Sequence, residues 1–225
     1  MAEEFDSQYY QVVARRSLAE RVLIAARDRI FGDFMARMQP GPTDRVLDVG
    51  VSDVVNDGAN VLERSYPHPH NMTACGLGQG AAFRSAYPAV EYVRIDANAR
   101  LPFDDASFEI ATSNAVLEHV GSAAMQEFFV RELARVAKRV FITVPNRYFP
   151  IEHHTALPLV HYSDNLFHIA CDLFDKPEWA RTENLILMSP RRLRALARPL
   201  GRSADIGYTG LPLGPFSSNL YLALR

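Results

Sequence analysis

The chain has 225 residues, 48% hydrophobic and 22% charged, which is enough for one well-buried core in an ordinary globular domain. Its 24 basic and 26 acidic side chains give a formal net charge of -2, so no strong positive field gathers polyanions, and we expect no nucleic-acid partner. The acidic N-terminal stretch and the lack of an apolar run of ~18 residues argue against a secretory signal and a membrane span, so we expect a cytoplasmic protein. Only two cysteines occur, Cys75 and Cys171, and both are expected to be small apolar core residues.

The N-terminal part of the chain predicts an amphipathic helix followed by a buried strand. Apolar residues recur at spacings of three and four from Gln11 to Met38, and Gly32 is expected to divide this helix in two. The Pro-Gly-Pro segment 40–42 ends the helical pattern. The apolar run 45–50, closed by a glycine, is typical of a short buried strand.

Strands and helices then alternate, which predicts βαβ units and a mainly parallel sheet. The predicted helices are 60–66, 81–87, 122–137 with Ser122 as N-cap, and 189–197. The further predicted strands are 72–77, 91–97, 108–114, 139–144, 204–209 and 218–224. The last two flank a link rich in glycine and proline, so they are expected to be adjacent and antiparallel.

Polar residues stand just after these strands, where ligands bind in open α/β sheets. Asp48 and Gly50 end the first strand: the glycine lets the backbone approach a ligand closely, and the carboxylate can orient a cationic amine. Asp96 ends the third strand, where it can accept a hydrogen bond from an exocyclic amine. A tight turn and a solvated loop aspartate remain the alternative interpretations.

The ordered motifs between residues 43 and 146 resemble the class I S-adenosylmethionine-dependent methyltransferases of the type 11 group. The segments that carry the resemblance are Val46-Leu-Asp-Val-Gly50, Asp96-Ala97, Leu101-Pro-Phe103 with Ser107-Phe108, Leu117-Glu-His-Val120, Glu132-Leu-Ala-Arg-Val136 and Phe141-Ile-Thr-Val-Pro-Asn146. The resemblance implies an α/β fold: a Rossmann-like, seven-stranded, mostly parallel sheet with helices on both faces and an antiparallel strand at the C-terminal edge. One domain, 1–225, is expected, divided into an N-terminal helical cap (1–42), a cofactor-binding core (43–146), an acceptor lid (147–188) and a C-terminal helix and strand pair (189–225).

The resemblance also implies an enzyme that uses S-adenosylmethionine and a set of cofactor-binding residues. These are Asp48, Gly50, Ser52, Gln79, Asp96, Ala97, Ser113 and Asn114. Two departures from the family pattern stand out. The first loop, 50–58, lacks the usual Gly-x-Gly, and the carboxylate that would hold the ribose after the second strand is replaced by Gly78 and Gln79. An amide bonds a hydroxyl more weakly than a carboxylate does, so we expect weaker cofactor affinity or a different anchor.

Histidines cluster after the fifth strand, where an acceptor pocket or lid is expected. We predict His154, or else His153, as a general base oriented by Glu152, because a hydroxyl acceptor benefits from a base near neutral pKa. His119, Arg147 and His161 are expected to contact the acceptor. Histidines packed within an irregular lid are the alternative.

No metal is expected. Glu118 and His119 occupy the place where quinone-type O-methyltransferases carry a Glu-x-x-Glu-His metal motif, but Ala115 replaces the first carboxylate, and hard cations want several oxygen ligands. The pair is expected to cap the turn and line the pocket.

The acceptor is expected to be a small, sugar-linked or lipid-like molecule, and one hypothesis is that an oxygen atom receives the methyl group. The arginines at 191, 192, 194 and 198 leave open a phosphate-bearing acceptor or peripheral contact with an anionic membrane. Two rivals remain: a noncatalytic binding or scaffold subunit, and a nicotinamide-dependent enzyme. The latter is disfavoured because the first strand lacks a Gly-x-Gly-x-x-Gly turn.

Overall fold

The computed structural model describes residues 18–53 and 60–225. Its first helix, α1 (Leu18–Met38), runs without interruption, so the predicted break at Gly32 is wrong. Gly32 is exposed, and the buried residues Phe34 and Met38 fix the helix on the sheet. That packing overrides the ~1 kcal/mol by which glycine disfavours a helix interior. The part of the predicted helix before residue 18 lies outside the described residues.

The centre of the molecule is a seven-stranded sheet, as predicted. Its strands are β1 (Val46–Val49), β2 (Met72–Gly76), β3 (Glu91–Arg94), β4 (Phe108–Asn114), β5 (Ala137–Pro145), β6 (Ala204–Thr209) and β7 (Asn219–Leu224). Their order in the sheet is β3-β2-β1-β4-β5-β7-β6. The first five strands are parallel, and β7 runs antiparallel between β5 and β6. Strand order therefore reverses between β1 and β4, which is the switch point where such sheets open a ligand crevice.

Helices cover both faces of the sheet and bury two apolar clusters. Besides α1, the helices are α2 (Val61–Ser65), α3 (Ala81–Ala86), α4 (Ala123–Val136), α5 (Asp164–Leu173) and α6 (Pro190–Ala197). Short 3-10 turns lie at Pro69–Asn71, Leu117–His119, Val160–Tyr162, Pro177–Ala180, Arg198–Leu200 and Gly214–Phe216. Buried side chains of α1, α2 and α3 pack on one face, and those of α4 and α6 pack on the other. Ser122 is the N-cap of α4, as predicted, and its side chain accepts the backbone N–H of Met125 at 3.2 Å.

The long connection between β5 and α6 has a small core of its own. Phe167 and Cys171 of α5 are buried against Leu185, and Trp179 packs on this cluster. Helix α5 was absent from the sequence-based prediction. Both cysteines are buried and unpaired, which confirms their assignment as core residues. None of the helices in the described parts of the chain combines the length and apolar character needed to cross a bilayer.

Candidate active site

A cleft of about 540 Å³ lies at the carboxyl ends of β1 to β4. This volume is within the range of about 300–1,000 Å³ that small-molecule sites occupy. Its floor includes Gly50 after β1, Gly78 after β2, Asp96 after β3 and Val116 after β4. Four strand ends therefore meet in one crevice at the switch point of the sheet.

The wall that α4 contributes to this cleft is largely apolar. Met125, Phe128 and Phe129 of α4 line it, Val120 from the turn before the helix extends it, and Glu132 is the charged residue that α4 adds. The opposite side carries the exposed residues Asp96 and Ala97, which offer a carboxylate and backbone groups. A cleft with one apolar and one polar side suits a flat heterocycle with an exocyclic amine.

The predicted cofactor residues fall into three groups in the structure. Gly50, Asp96 and Ala97 line the cleft. Asp48 and Asn114 line a neighbouring cavity of about 60 Å³ behind β1. Ser52, Gln79 and Ser113 line neither of these two spaces. Ser113 is buried and donates its hydroxyl to the Val49 carbonyl at 2.7 Å, and Ser52 bonds Asn60 through its backbone, so both have structural partners.

The loop after β1 is held by a close approach to the loop after β4. Gly50 has φ +102°, and a Cβ there would lie 2.2 Å from a methyl carbon of Val116. The N–H groups of Gly50 and Val51 both donate to the Cys75 carbonyl, at 2.8 and 3.0 Å. Glycine is therefore required at this position both for its backbone conformation and for space.

Asp53 is a cleft residue that the sequence analysis missed. Its carboxylate accepts the N–H groups of Gly80 (3.1 Å) and Phe83 (3.0 Å), at the N-terminus of α3. Asp53 thus joins the loop after β1 to the loop after β2. The loop after β2 is the one in which Gly78 and Gln79 replace the carboxylate expected to hold the ribose. The sequence gave no signal for this contact, because the two partners lie 27 and 30 residues away.

Two buried carboxyls meet beside the smaller cavity. Burial raises the pKa of Asp48 from 3.8 to about 7, and burial next to Asp48 holds the pKa of Glu63 well above its usual value. Neither oxygen of Glu63 has a hydrogen-bond donor among the described residues. A carboxyl pair of this kind gains most from a cation placed beside it. The α-ammonium group of an amino-acid ligand would supply that charge.

A hydrogen-bonded row of three side chains leads from the lid to the cleft. Glu152 Oε1 lies 2.7 Å from His154 Nδ1, and His154 Nε2 lies 3.1 Å from His119 Nε2. His119 Nδ1 donates to the Asn184 carbonyl at 2.7 Å. Of the three, only His119 lines the cleft, and the indole of Trp179 covers both imidazoles.

Burial and mutual contact determine the charges in this row. Burial, together with the neighbouring His154, lowers the pKa of His119 to about 3. His154 is also buried, but its hydrogen bond and attraction to Glu152 raise its pKa. Burial alone would raise the pKa of Glu152, yet the bonds from His154 and Thr155 hold it at about 2. The row therefore carries an ion pair at its lid end and a neutral imidazole at the cleft.

Glu118 faces the same two imidazoles. It is 1% exposed, and its Oε1 lies 3.9 Å from His119 Nε2. Burial raises the pKa of Glu118 to about 7. Neither of its oxygens has a hydrogen-bond partner in the described part of the chain.

The remaining predicted acceptor residues face the interior of the lid. His153 packs on Phe149 with ring centroids 5.3 Å apart, and burial lowers its pKa to about 4. His161 Nε2 donates to the Phe149 carbonyl at 2.8 Å. Arg147 pairs with Asp164 at 2.7 Å. None of these three side chains lines the cleft.

The type 11 family of methyltransferase domains matches this chain over residues 59–140. No curated protein matches the chain in sequence. The matched segment runs from before α2 into β5, so it contains the ends of β2, β3 and β4 that form the cleft.

Three solved structures illustrate the shared fold. An S-adenosylmethionine-dependent methyltransferase from Mesorhizobium loti is 13% identical, with TM-score 0.58 over 89% of this chain and 99% of that chain. One from Methanosarcina mazei is 16% identical, with TM-score 0.56 over 87% and 94%. Magnesium protoporphyrin IX methyltransferase from Synechocystis, solved with bound SAH, is 12% identical, with TM-score 0.57 over 99% and 93%. At these identities the likeness shows the fold.

The sheet order confirms the predicted fold, and the match over residues 59–140 supports the predicted methyltransferase domain and its cofactor, S-adenosylmethionine. The cleft also fits the cofactor: it has a polar and an apolar side for the adenosyl group, and a buried carboxyl pair nearby for an ammonium group. Residues 59–140 match a methyltransferase domain of type 11, and the sheet that contains them has the strand order of the Rossmann-like methyltransferase fold.

Proposed function

We propose that the enzyme transfers the methyl group to a hydroxyl oxygen of a small-molecule, sugar-linked or lipid-like acceptor. The observation that carries this proposal is the row Glu152, His154 and His119, whose last member lines the cleft. A hydroxyl is a weak nucleophile while it keeps its proton. A proton acceptor beside the cofactor cleft therefore favours oxygen as the target.

The hydrogen bonds already made in the row leave one proton position, between the Nε2 atoms of His119 and His154. Both Nδ1 atoms are occupied, that of His119 by the Asn184 carbonyl and that of His154 by Glu152. The two Nε2 atoms, 3.1 Å apart, consequently hold one hydrogen between them or none. Above the raised pKa of His154 the row loses this hydrogen. That form accepts the hydroxyl proton while the oxygen–carbon bond forms, the sulfur–carbon bond breaks and its electron pair stays on sulfur.

His154 therefore has a different role from the one predicted for it. His119 is the residue that touches the acceptor, and His154 and Glu152 are positioning residues that act through it. His153, turned toward Phe149, is a weaker candidate for the same role. Arg147 and His161 support the lid through their internal bonds.

We assign the cofactor to the cleft and the adjoining small cavity. S-adenosylmethionine supplies the methyl group when bound there. Asp96 and Ala97 would hold the adenine, and Gly50 would let the backbone approach the cofactor closely. Asp48, backed by Glu63, and Asn114 would hold the methionine end. Ser52, Gln79 and Ser113 line neither space, so we assign them only an indirect role, in supporting the residues that do.

The apolar wall favours a lipid-like or aromatic acceptor. Val120, Met125, Phe128 and Phe129 line the same cleft as His119. Met125 keeps 37% of its surface exposed. An acceptor with an apolar body and a hydroxyl would bury that body on α4 and present its oxygen to His119.

The test is an assay that follows demethylated cofactor with phenols, catechols, isoprenoid-linked phenols and sugars, alongside amine and thiol analogues. We expect turnover on a hydroxyl acceptor, and His119→Ala should lower kcat ~10²–10⁴-fold, the usual contribution of a proton acceptor. His154→Gln should lower kcat less than His119→Ala does. His168→Ala, an exposed histidine of α5, is the matched control and should leave kcat unchanged. Turnover on the amine or thiol analogues alone, or an unimpaired His119→Ala variant, would refute oxygen methylation.

A further inference from the structure

Glu118, His119 and His154 form a compact group, called here the Glu-His-His cluster. One potential ligand atom from each lies within 4.8 Å of the other two. The residues come from two places, the turn after β4 and the lid, 35 residues apart in the sequence. The missing carboxylate at Ala115 led the sequence analysis to expect no metal, because it could not show that the lid supplies a third ligand.

The hydrogen bonds orient both imidazoles toward one point. The Nδ1 atoms face the Asn184 carbonyl and Glu152, so the Nε2 atoms of His119 and His154 turn toward each other. A histidine that ligates a metal ordinarily donates its other N–H to a carbonyl or a carboxylate in this way. Glu152 is itself fixed by the N–H groups of His154 (3.0 Å) and Thr155 (2.6 Å) and by the Thr155 hydroxyl (2.7 Å).

Glu118 supplies an independent indication of a cation. It is 1% exposed and lies next to His119 Nε2, yet neither of its oxygens has a partner within the described ranges. A buried carboxyl without a donor is costly, and such groups in proteins are paired or bind metals. A cation between Glu118 and the two Nε2 atoms would give the buried Glu118 carboxylate the partner it lacks among the described residues.

The spacing of the two imidazole nitrogens fits a first-row divalent cation, whereas Glu118 Oε1, 3.9 Å from His119 Nε2, would have to move closer to bind it. Two nitrogens bound to zinc at ~2.0–2.1 Å in a tetrahedral site lie roughly 3.3 Å apart, close to the 3.1 Å between the two Nε2 atoms. Two imidazoles and one carboxylate suit zinc, cobalt, manganese or iron better than magnesium, which prefers oxygen ligands. We propose that Glu118, His119 and His154 bind one such cation, leaving a coordination position toward the cleft.

This site bears on the proposed function but does not depend on it. If the acceptor is a hydroxyl, the cation would occupy the place of the shared proton and lower the pKa of the bound oxygen. Binding of the cation by itself needs neither acceptor nor cofactor.

The test is calorimetric titration of tag-free, chelator-treated full-length protein with ZnCl₂, together with visible absorption on CoCl₂ addition. We expect one equivalent bound, with cobalt bands that report mixed nitrogen and oxygen ligation. Glu118→Gln should weaken binding at least tenfold, and His154→Ala should abolish the cobalt bands. His70→Gln is the matched control, because His70 is an exposed histidine outside the Glu-His-His cluster.

The variants need a check of folding, because Glu118 is buried and the His154 side chain is only 10% exposed. Unchanged binding of S-adenosylhomocysteine would show that the cofactor cleft of each variant is intact. Zinc and cobalt binding that is absent from the wild type, or equal in the wild type and Glu118→Gln, would overturn the site. If the wild type binds the cation, the two variants lose it as expected and no hydroxyl acceptor is methylated, the metal site stands and only the proposed function is refuted.

Discussion

At the residue scale, the site depends on side chains whose partners come from distant parts of the chain. Asp48 was visible in the sequence as the polar end of a buried strand, but Glu63, which faces it, lies on a separate helix. His119 was visible as part of a family motif, whereas its contact with His154 is made only in the fold. Residue types at strand ends can be predicted, but the pairs they form cannot.

The Asp48 and Glu63 carboxyls predict a dependence of stability on pH. Both pKa values are higher in the folded than in the unfolded chain, so folding favours the protonated forms, and stability falls as pH rises from about 4 to about 7. Glu63→Gln removes one titrating group and the repulsion. In the cofactor-free protein it should raise the free energy of unfolding near pH 7 by on the order of a few kcal/mol, and much less near pH 4.

Urea denaturation of the two proteins across this pH range provides the measurement. Glu91→Gln, at an exposed position where the carboxylate accepts a hydrogen bond from Thr73, is the control and should show no such rise. If the difference in the free energy of unfolding between wild type and Glu63→Gln does not grow with pH, the Asp48 and Glu63 carboxyls do not repel each other.

At the element scale, the predicted lid (147–188) has a small apolar cluster of its own, while Ile186 and Met188 near its end pack into the main core. Phe167 is 2% exposed and, with Cys171 of the same helix, packs α5 on Leu185, whereas Ile169 on the other side of the helix is 62% exposed. Since Trp179 also packs on this cluster and covers the imidazoles, the lid core should control access to the row.

Phe167→Ala should therefore loosen the lid while leaving the sheet folded. Loss of a buried phenylalanine side chain costs ~3–5 kcal/mol, and here the cost falls on contacts within the lid. Hydrogen exchange should speed up in residues 147–188 and remain slow in β1, β4 and β5. Ile169→Ala, at an exposed position of the same helix, should leave exchange unchanged. Faster exchange throughout the sheet would mean that the lid and the sheet unfold together.

The elements also show where sequence patterns suffice. Every strand was predicted, because buried parallel strands are short apolar runs closed by glycine or polar residues. Helix α5 was missed because Leu166, Ile169 and Leu173 on its exposed side are also apolar, so the 3.6-residue periodicity is blurred. Its buried side, with Phe167, Ala170 and Cys171 spaced by three and four, carried the signal that could have revealed it.

At the scale of the whole molecule, the ligand position follows from the order of the strands. The chain places β2 and β3 on one side of β1 and then crosses to β4 on the other, and the crevice opens at that reversal. The sequence predicted which residues end these strands. It did not predict that Asp53 would join the first two loops or that α4 would supply an apolar wall, since both depend on tertiary packing.

Titration calorimetry with S-adenosylhomocysteine tests the central claim, that the ends of β1 to β4 hold the cofactor, without knowledge of the acceptor. Ala97→Trp is a suitable variant, because Ala97 is exposed, lines the cleft and can take a large side chain without disturbing the core. We predict one binding site in the wild type and at least a tenfold loss of affinity in Ala97→Trp, at an unchanged melting temperature. Equal affinity in the two proteins, or no binding by the wild type, would contradict the account.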